Sequence, residues 1–215
     1  MLKKILLVLV LVCMSSNLMA EENKASFDKA VADIPGDEID SVIRVYTQTI
    51  SYPFPKEWGV NPVFKNQKDN RFIIEFIPKG QTLNDWKDMF TIQGFQSLAG
   101  NNNVSPEKMV LVLRQQFDKV APNKSYYKEI YNGDVNGYSG IIVLMGIKEM
   151  PKNAIPTISK GAGEVGLYLA LKGKRDMYLI HRSWKTELPY SDEKLPFDRS
   201  ELDKWVKSFK KIKLI

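Results

Sequence analysis

Cysteine and histidine are almost missing from this chain. Cys13 is the only cysteine and His181 the only histidine in 215 residues. A single thiol excludes an internal disulfide, a redox pair and a thiolate-rich metal centre. Zinc sites draw on several His or Cys ligands, so one histidine argues against a conventional zinc enzyme. A folded form must therefore be held by its hydrophobic core. Long apolar runs are also lacking: beyond residue 20 no stretch approaches the roughly 20 residues needed to span a bilayer. A strong charge imbalance is also absent, with 31 basic and 25 acidic residues and a formal net charge of +6. The aromatics do not line a basic stripe, so a surface for stacking nucleic-acid bases is not indicated. Nothing in the composition calls for a cofactor.

The N-terminus carries the clearest signal that is present. Lys3 and Lys4 precede an aliphatic run over residues 5–12, followed by Ser15, Ser16, Asn17 and a small residue, Ala20. That is the three-part layout of a cleavable secretory signal peptide. Residues 1–20 are read as that signal, which places the mature protein in the periplasm; an uncleaved anchor is the alternative. Val12 before Cys13 makes a poor lipid-attachment site, which speaks against anchoring through Cys13. Removing 20 residues from 215 leaves 195, and the loss of Lys3 and Lys4 lowers the charge from +6 to +4. That length is ample for one core. Residues 21–38 read as a polar, flexible leader and 39–215 as a single domain.

Ile39, Ser41, Ile43 and Val45 alternate with outward positions, predicting a first strand over about 41–52 that Pro53 and Pro55 end. Residues 63–65 and 72–77 read as a hairpin. Thr82, with Asp85 three positions on, resembles a capping box, and Trp86, Met89, Phe90 and Gln93 follow at helical spacing. Ser105-Pro106-Glu107 is a second helix start, with Met109, Val110, Leu113, Phe117 and Val120 as its buried stripe. Residues 125–131 and 138–147 flank two Asn-Gly pairs, 132–133 and 136–137, which favour hairpin turns. A loop over 149–163 leads to a further hairpin of 165–171 and 177–185. A helix beginning at Ser200 sets Leu202, Trp205, Val206, Phe209 and Ile212 on one face, and Lys204, Lys207, Lys210 and Lys211 on the other. The expectation is an α+β domain: one largely antiparallel sheet of about six or seven strands covered by helices.

Ile50-Ser51-Tyr52-Pro53 leading to Trp58, the hairpin ending in Phe76-Ile77-Pro78, the later hairpins and the terminal helix together resemble the Mog1/PsbP-like fold. The resemblance covers about residues 40–213 and rests on topology and a few aromatic and proline positions. Residues 76–90 also resemble uncharacterised exported bacterial proteins, in which a similar Ile-Pro stretch precedes a short Trp-containing helix. The resemblance implies architecture together with binding and assembly roles, and no shared catalytic set.

Motifs that point to chemistry each meet an obstacle. Gly161-Ala162-Gly163-Glu164-Val165-Gly166 matches G-x-G-x-x-G, but a strand-like segment follows where a dinucleotide site needs a helix. His181 lies in an apparent strand, and Gly137-Tyr138-Ser139-Gly140 lacks the spacing of a nucleophile elbow. Asp37/Glu38 and Asp192/Glu193 read as solvated loop charges, and Asp69/Asn70 and Asp134/Asn136 fall short of a calcium loop. No catalytic, cofactor-binding or metal-binding residue is expected. The leading expectation is a non-catalytic periplasmic binding or assembly protein with a protein partner in the cell envelope, such as an accessory subunit of an envelope or secretion complex. Contacts are expected from Tyr52, Phe54 and Trp58 and from Met150, Ile155 and Ile158, since proline-rich segments and loops carry recognition. The alternatives are an enzyme with scattered polar catalytic groups, or a binder of anionic membrane surface or acidic ligands through the C-terminal lysine face.

Overall fold

A computed structural model of the chain describes residues 37–58, 61–151, 163–191 and 193–215. The segment read as a signal peptide and all but the last two residues of the expected leader lie outside these. Strands β1 (Glu38–Val45) and β2 (Gln48–Pro55) pair with β10 (Lys213–Leu214) in a small sheet of order β1-β2-β10. The large sheet has seven antiparallel strands in the order β3-β4-β5-β9-β8-β7-β6. They are β3 (Phe64–Lys68), β4 (Arg71–Phe76), β5 (Asp88–Phe95), β6 (Ser125–Val135), β7 (Tyr138–Ile147), β8 (Glu164–Lys172) and β9 (Met177–Lys185). Helices α1 (Pro106–Val120) and α2 (Arg199–Phe209) complete the α+β architecture.

Three layers result. One face of the large sheet, carrying Ile74, Phe90, Leu144, Leu167, Leu169 and Ile180, packs against β1, β2, β10 and α2 in the main core. The opposite face meets α1 through Val110, with Met109, Leu113 and Phe117 half-buried over Val143, Met145 and Tyr168. β7 and β8 are therefore covered on both faces, which is why they read as nearly unbroken apolar runs. Edge strand β3 is exposed throughout and carries Lys65 and Lys68, charges that discourage pairing with another edge.

The first strand is two. Its apolar alternation runs across a tight turn at Tyr46 and Thr47, with Tyr46 at φ 54° and no Gly, Asn or Pro to mark it. The turn is held from a distance, since Thr47 N and Oγ1 both donate to Asp176 Oδ2, at 3.2 and 2.5 Å. Pro53 and Pro55 do not end the strand. β10 pairs with β2 only at Ile50 and Ser51, so the prolines lie where β2 has a single neighbour.

The Trp86 helix is replaced by a turn and a central strand. Asp85 Oδ1 accepts from both Thr82 N and Oγ1, at 2.5 and 2.7 Å, closing the turn, and the chain then enters β5. Met89, Phe90 and Ile92 are buried between two covered faces, so their run carries no strand alternation. Gly94 leaves room for the first hairpin: a Cβ there would stand 2.5 Å from Val45 Cγ1.

The remaining signals fall closer. Ser105 Oγ accepts from Lys108 N at 3.3 Å at the start of α1, although Val120 is 46% exposed and leaves the buried stripe. The cap of α2 is Asp198, which accepts from Glu201 N at 2.8 Å, not Ser200. Of the two Asn-Gly pairs only Asn136-Gly137 turns the chain, both residues having positive φ; Asn132-Gly133 lies within β6. Asn136 Nδ2 also donates to Lys210 O and Ile212 O, tying this hairpin to the end of α2.

These placements separate two tryptophans. Both are half-buried, but Trp205 on α2 packs against the main core and the Arg182 guanidinium, whereas Trp86 is a turn residue in no core cluster, beneath the Lys185 ammonium. In urea denaturation, Trp205→Ala is expected to cost about 3 kcal/mol. Trp86→Ala is expected to cost under about 1 kcal/mol. Equal losses would contradict the placement of Trp86.

Candidate functional site

Polar side chains gather on the face of the large sheet that α1 covers, beyond the helix towards β4. Register places Glu75, Thr91, His181 and Tyr168 in one row across β4, β5, β9 and β8. Ser183 and Lys185 follow His181 at every second position, and alternation keeps all three on the same face. Lys185 stands opposite Glu164, the first residue of β8.

The groups form a connected chain. Gln93 Nε2 lies 3.4 Å from His181 Nε2, and His181 Nδ1 lies 3.2 Å from Ser183 Oγ. The Tyr168 hydroxyl is 3.5 Å from Ser183 Oγ, and the Glu164 carboxyl lies beyond Ser183 at the start of β8. The Tyr168 ring stacks on the imidazole at 4.7 Å between centroids. Thr91 Oγ1 is buried in the same row with no hydrogen-bond partner among the described residues.

Burial sets the charges here. It drives His181 down to about 3, so the imidazole is neutral at ordinary pH. It pushes Glu164 up to about 6, opposed by Lys185 and the nearby Ser183 hydroxyl and reinforced by Glu75. Burial also raises Glu75 and lowers Lys185, which Glu164 and Asp85 partly restore. A serine and a histidine in contact, with a carboxylate nearby, are ingredients of nucleophilic catalysis. Ser183, however, is 1% exposed, so its hydroxyl is closed to a substrate in this state.

A second polar cluster lies on the other face. Arg182 Nε donates to both carboxylate oxygens of Asp88, at 2.8 and 3.0 Å, and its Nη2 bonds the same group. The guanidinium carbon sits 3.0, 4.9 and 5.5 Å from the ring centroids of Trp205, Trp58 and Trp184. A small apolar cavity beside it is lined by Pro53, Trp58, Phe90, Trp205 and Phe209 among others. Arg182 occupies its own aromatic cage, so this cluster acts as structure.

The residues expected to make contacts are placed differently. Tyr52, Phe54 and Trp58 are buried, at 4%, 2% and 4% exposure, in edge-on and stacked contact with one another and with Phe76 and Phe90. Met150 is buried with Ala121 and Ile147. These four pack the interior and offer no surface: Tyr52 and Phe54 lie on β2, Trp58 in the turn directly after it, and Met150 just beyond β7, all directed into the core. Ile155 and Ile158 lie outside the described residues, as do Gly161, Ala162 and Asp192. Glu164, Val165 and Gly166 begin β8, so no helix N-terminus follows the glycine motif. Of the lysine face, Lys204 and Lys211 stand 3.9 Å from Asp37 and Glu38, and Lys210 lies over the Tyr131 ring at 4.2 Å. Sequence reasoning noticed His181 but not its partners. The available signal was the two-residue spacing of His181, Ser183 and Lys185.

Among the described residues, no group of three or more His, Asp or Glu side chains is placed to hold a metal ion. Nor is any helix among them long and apolar enough to cross a membrane. No protein-family model and no curated protein matches the chain.

A histidine kept neutral by folding but protonated when unfolded makes stability depend on pH. The unfolded group binds a proton below about 6.5 and the folded one does not, so stability is lost as pH falls from that value. Relative to His181→Gln, the wild type is expected to weaken below pH 6.5 by at most about 1.4 kcal/mol per pH unit. Urea midpoints of both proteins between pH 7 and 4.5 measure this. A constant difference would contradict a buried neutral imidazole.

Proposed function

We propose that the chain is an exported, non-catalytic binding or assembly protein of the cell envelope, acting as an accessory subunit beside a protein partner. One observation carries the reading: Leu111 and Val112, adjacent on α1, are 51% and 54% exposed, while Ser183, the serine hydrogen-bonded to His181, is sealed. Apolar side chains held open on a rigid helix suit recognition, and a closed hydroxyl does not suit turnover. This moves the proposed contact surface from the buried 52–58 segment to the outer face of α1. The lysine face of α2 is a weaker candidate for anionic lipid, since Asp37 and Glu38 already stand beside two of its charges. The Mog1/PsbP-like assignment belongs to the same proposal. It agrees with the binding role and with an antiparallel sheet flanked by helices.

The test is affinity capture from envelope extract with tagged, full-length precursor expressed in a bacterial host. The mature protein should begin at Glu21 to within two residues. Leu111→Lys/Val112→Lys should keep the wild-type denaturation midpoint within about 0.5 kcal/mol. It should lose a partner that the wild type retains. An intact Met1 or an acylated Cys13 would contradict export by cleavage. An unchanged partner set in the double variant would contradict the α1 surface, and saturable turnover of a small molecule would contradict the non-catalytic role.

A further inference from the structure

Helical spacing divides α1 into three sides. Val110, Leu113 and Phe117 face the sheet. Arg114 and Asp118 sit on the flank towards β6. There the guanidinium carbon lies 4.8 Å from the Tyr127 ring centroid, and the Asp118 carboxylate accepts from the Ser125 hydroxyl. Opposite the sheet stand Lys108, Leu111, Val112, Gln115 and Lys119, at the three- and four-residue steps of one helical face. All five are exposed.

The charges on this outward face have one sign. The two acids of the helix lie off it: Asp118 is engaged by Ser125, and Glu107 stands in the first turn, at the positive end of the helix dipole. Among the described residues, no ion pair engages Lys108 or Lys119. Their ammonium groups therefore bracket Leu111 and Val112 without a counter-charge of their own. Lys119 follows Lys108 by 11 positions, roughly 16 Å along the helix axis.

We propose that α1 receives an acidic amphipathic segment of a partner protein, with an apolar centre seated on Leu111 and Val112 and carboxylates on either side that meet Lys108 and Lys119. The inference rests on the reading of α1 as the contact surface and adds the chemistry of what it contacts. The apolar pair supplies area to remove from water. The lysines steer an acidic segment and reject a basic one, and the net positive charge of the chain acts in the same direction. Two other occupants fit less well. A second copy of α1 brings lysines and glutamine to this face and no acid, so self-association leaves the ammonium groups unpaired or opposed. An anionic bilayer gains roughly fivefold per lysine held near its surface, so two lysines give about 25-fold, a weak anchor. Nor can α1 roll its most apolar side towards lipid, because Val110, Leu113 and Phe117 are packed on the sheet.

Selection from a random peptide library displayed on phage, with the purified protein expressed from the full chain as bait, tests this. Enriched peptides should carry net negative charge and combine Asp or Glu with aliphatic or aromatic residues. Binding of a synthetic copy should weaken as sodium chloride rises. Lys108→Glu/Lys119→Glu should weaken it about tenfold and turn a repeated selection towards basic peptides. Leu111→Ser/Val112→Ser should also weaken it about tenfold while keeping the wild-type denaturation midpoint. Peptides that bind the serine variant as tightly as the wild type would contradict the α1 surface itself. Peptides lost in that variant but neutral or basic, or indifferent to Lys108→Glu/Lys119→Glu, would leave the surface standing and overturn the acidic partner. An empty selection would overturn it too. So would binding to phosphatidylglycerol vesicles that the lysine variant loses, or a dimer that the serine variant abolishes. The charge of the peptides that the wild type selects decides the matter even if a variant fails to fold.

Discussion

Arg182 keeps a permanent charge inside the protein, and the arrangement of the layers follows from how that charge is accommodated. Its guanidinium lies against Trp58 after β2, Trp184 on β9 and Trp205 on α2, and its hydrogen bonds go to Asp88 at the start of β5. One side chain thus joins the small sheet, the large sheet and the C-terminal helix. Burial raises Asp88 and lowers Arg182, each opposed by the other partner. Such a pair gains little net stability over an apolar replacement, but losing one partner strands the other without solvent. Stacking on indoles suits a weakly hydrated guanidinium better than an ammonium. The pair therefore acts mainly as a register pin, fixing where α2 and the 52–58 segment sit on the sheet.

Asp176 plays the matching part at the other end of the sheet. It is 0% exposed and accepts from Thr47 N and Oγ1, Ser97 N and the Tyr178 hydroxyl. Burial raises its carboxyl, and these hydrogen bonds overcome that and hold it below its ordinary value. Three turns that are far apart in the chain meet at this carboxylate. Between these two ends of the sheet lie the longer contacts of the Gln93–His181–Ser183 chain. The same sheet supports α1 through Val110, Leu113 and Phe117, and the helix's outward apolar residues are the proposed contact surface.

Local chemistry in the sequence was enough where an element is decided locally. Ser105-Pro106-Glu107 starts α1, Asn136-Gly137 turns β6 into β7, and Lys172-Gly173-Lys174 marks the turn between β8 and β9. It failed where a distant partner decides. The turn at Tyr46 has no turn residue and depends on Asp176, 129 positions from Thr47. The stretch from Thr82 carries helix-like spacing but becomes β5, because a central strand buried on both faces hides its own period. The aromatic 52–58 segment looked like a display loop and is core for the same reason: its surroundings come from β5, β9 and α2. The polar chain was half legible. His181, Ser183 and Lys185 share a face by spacing alone, but Gln93 is 88 positions from His181 and only strand order brings them together.

Arg182 and Asp88 are 94 positions apart, and no feature of the sequence pairs them. Their coupling is the central physical claim, and urea denaturation of Asp88→Asn, Arg182→Met and the double variant measures it directly. Asp88→Asn leaves a buried, uncompensated guanidinium and should lose about 3–5 kcal/mol. The double variant should lose clearly less than the two single losses combined, because neither charge is left stranded. A wild-type midpoint in Asp88→Asn, or strictly additive losses, would contradict a structure pinned by this pair.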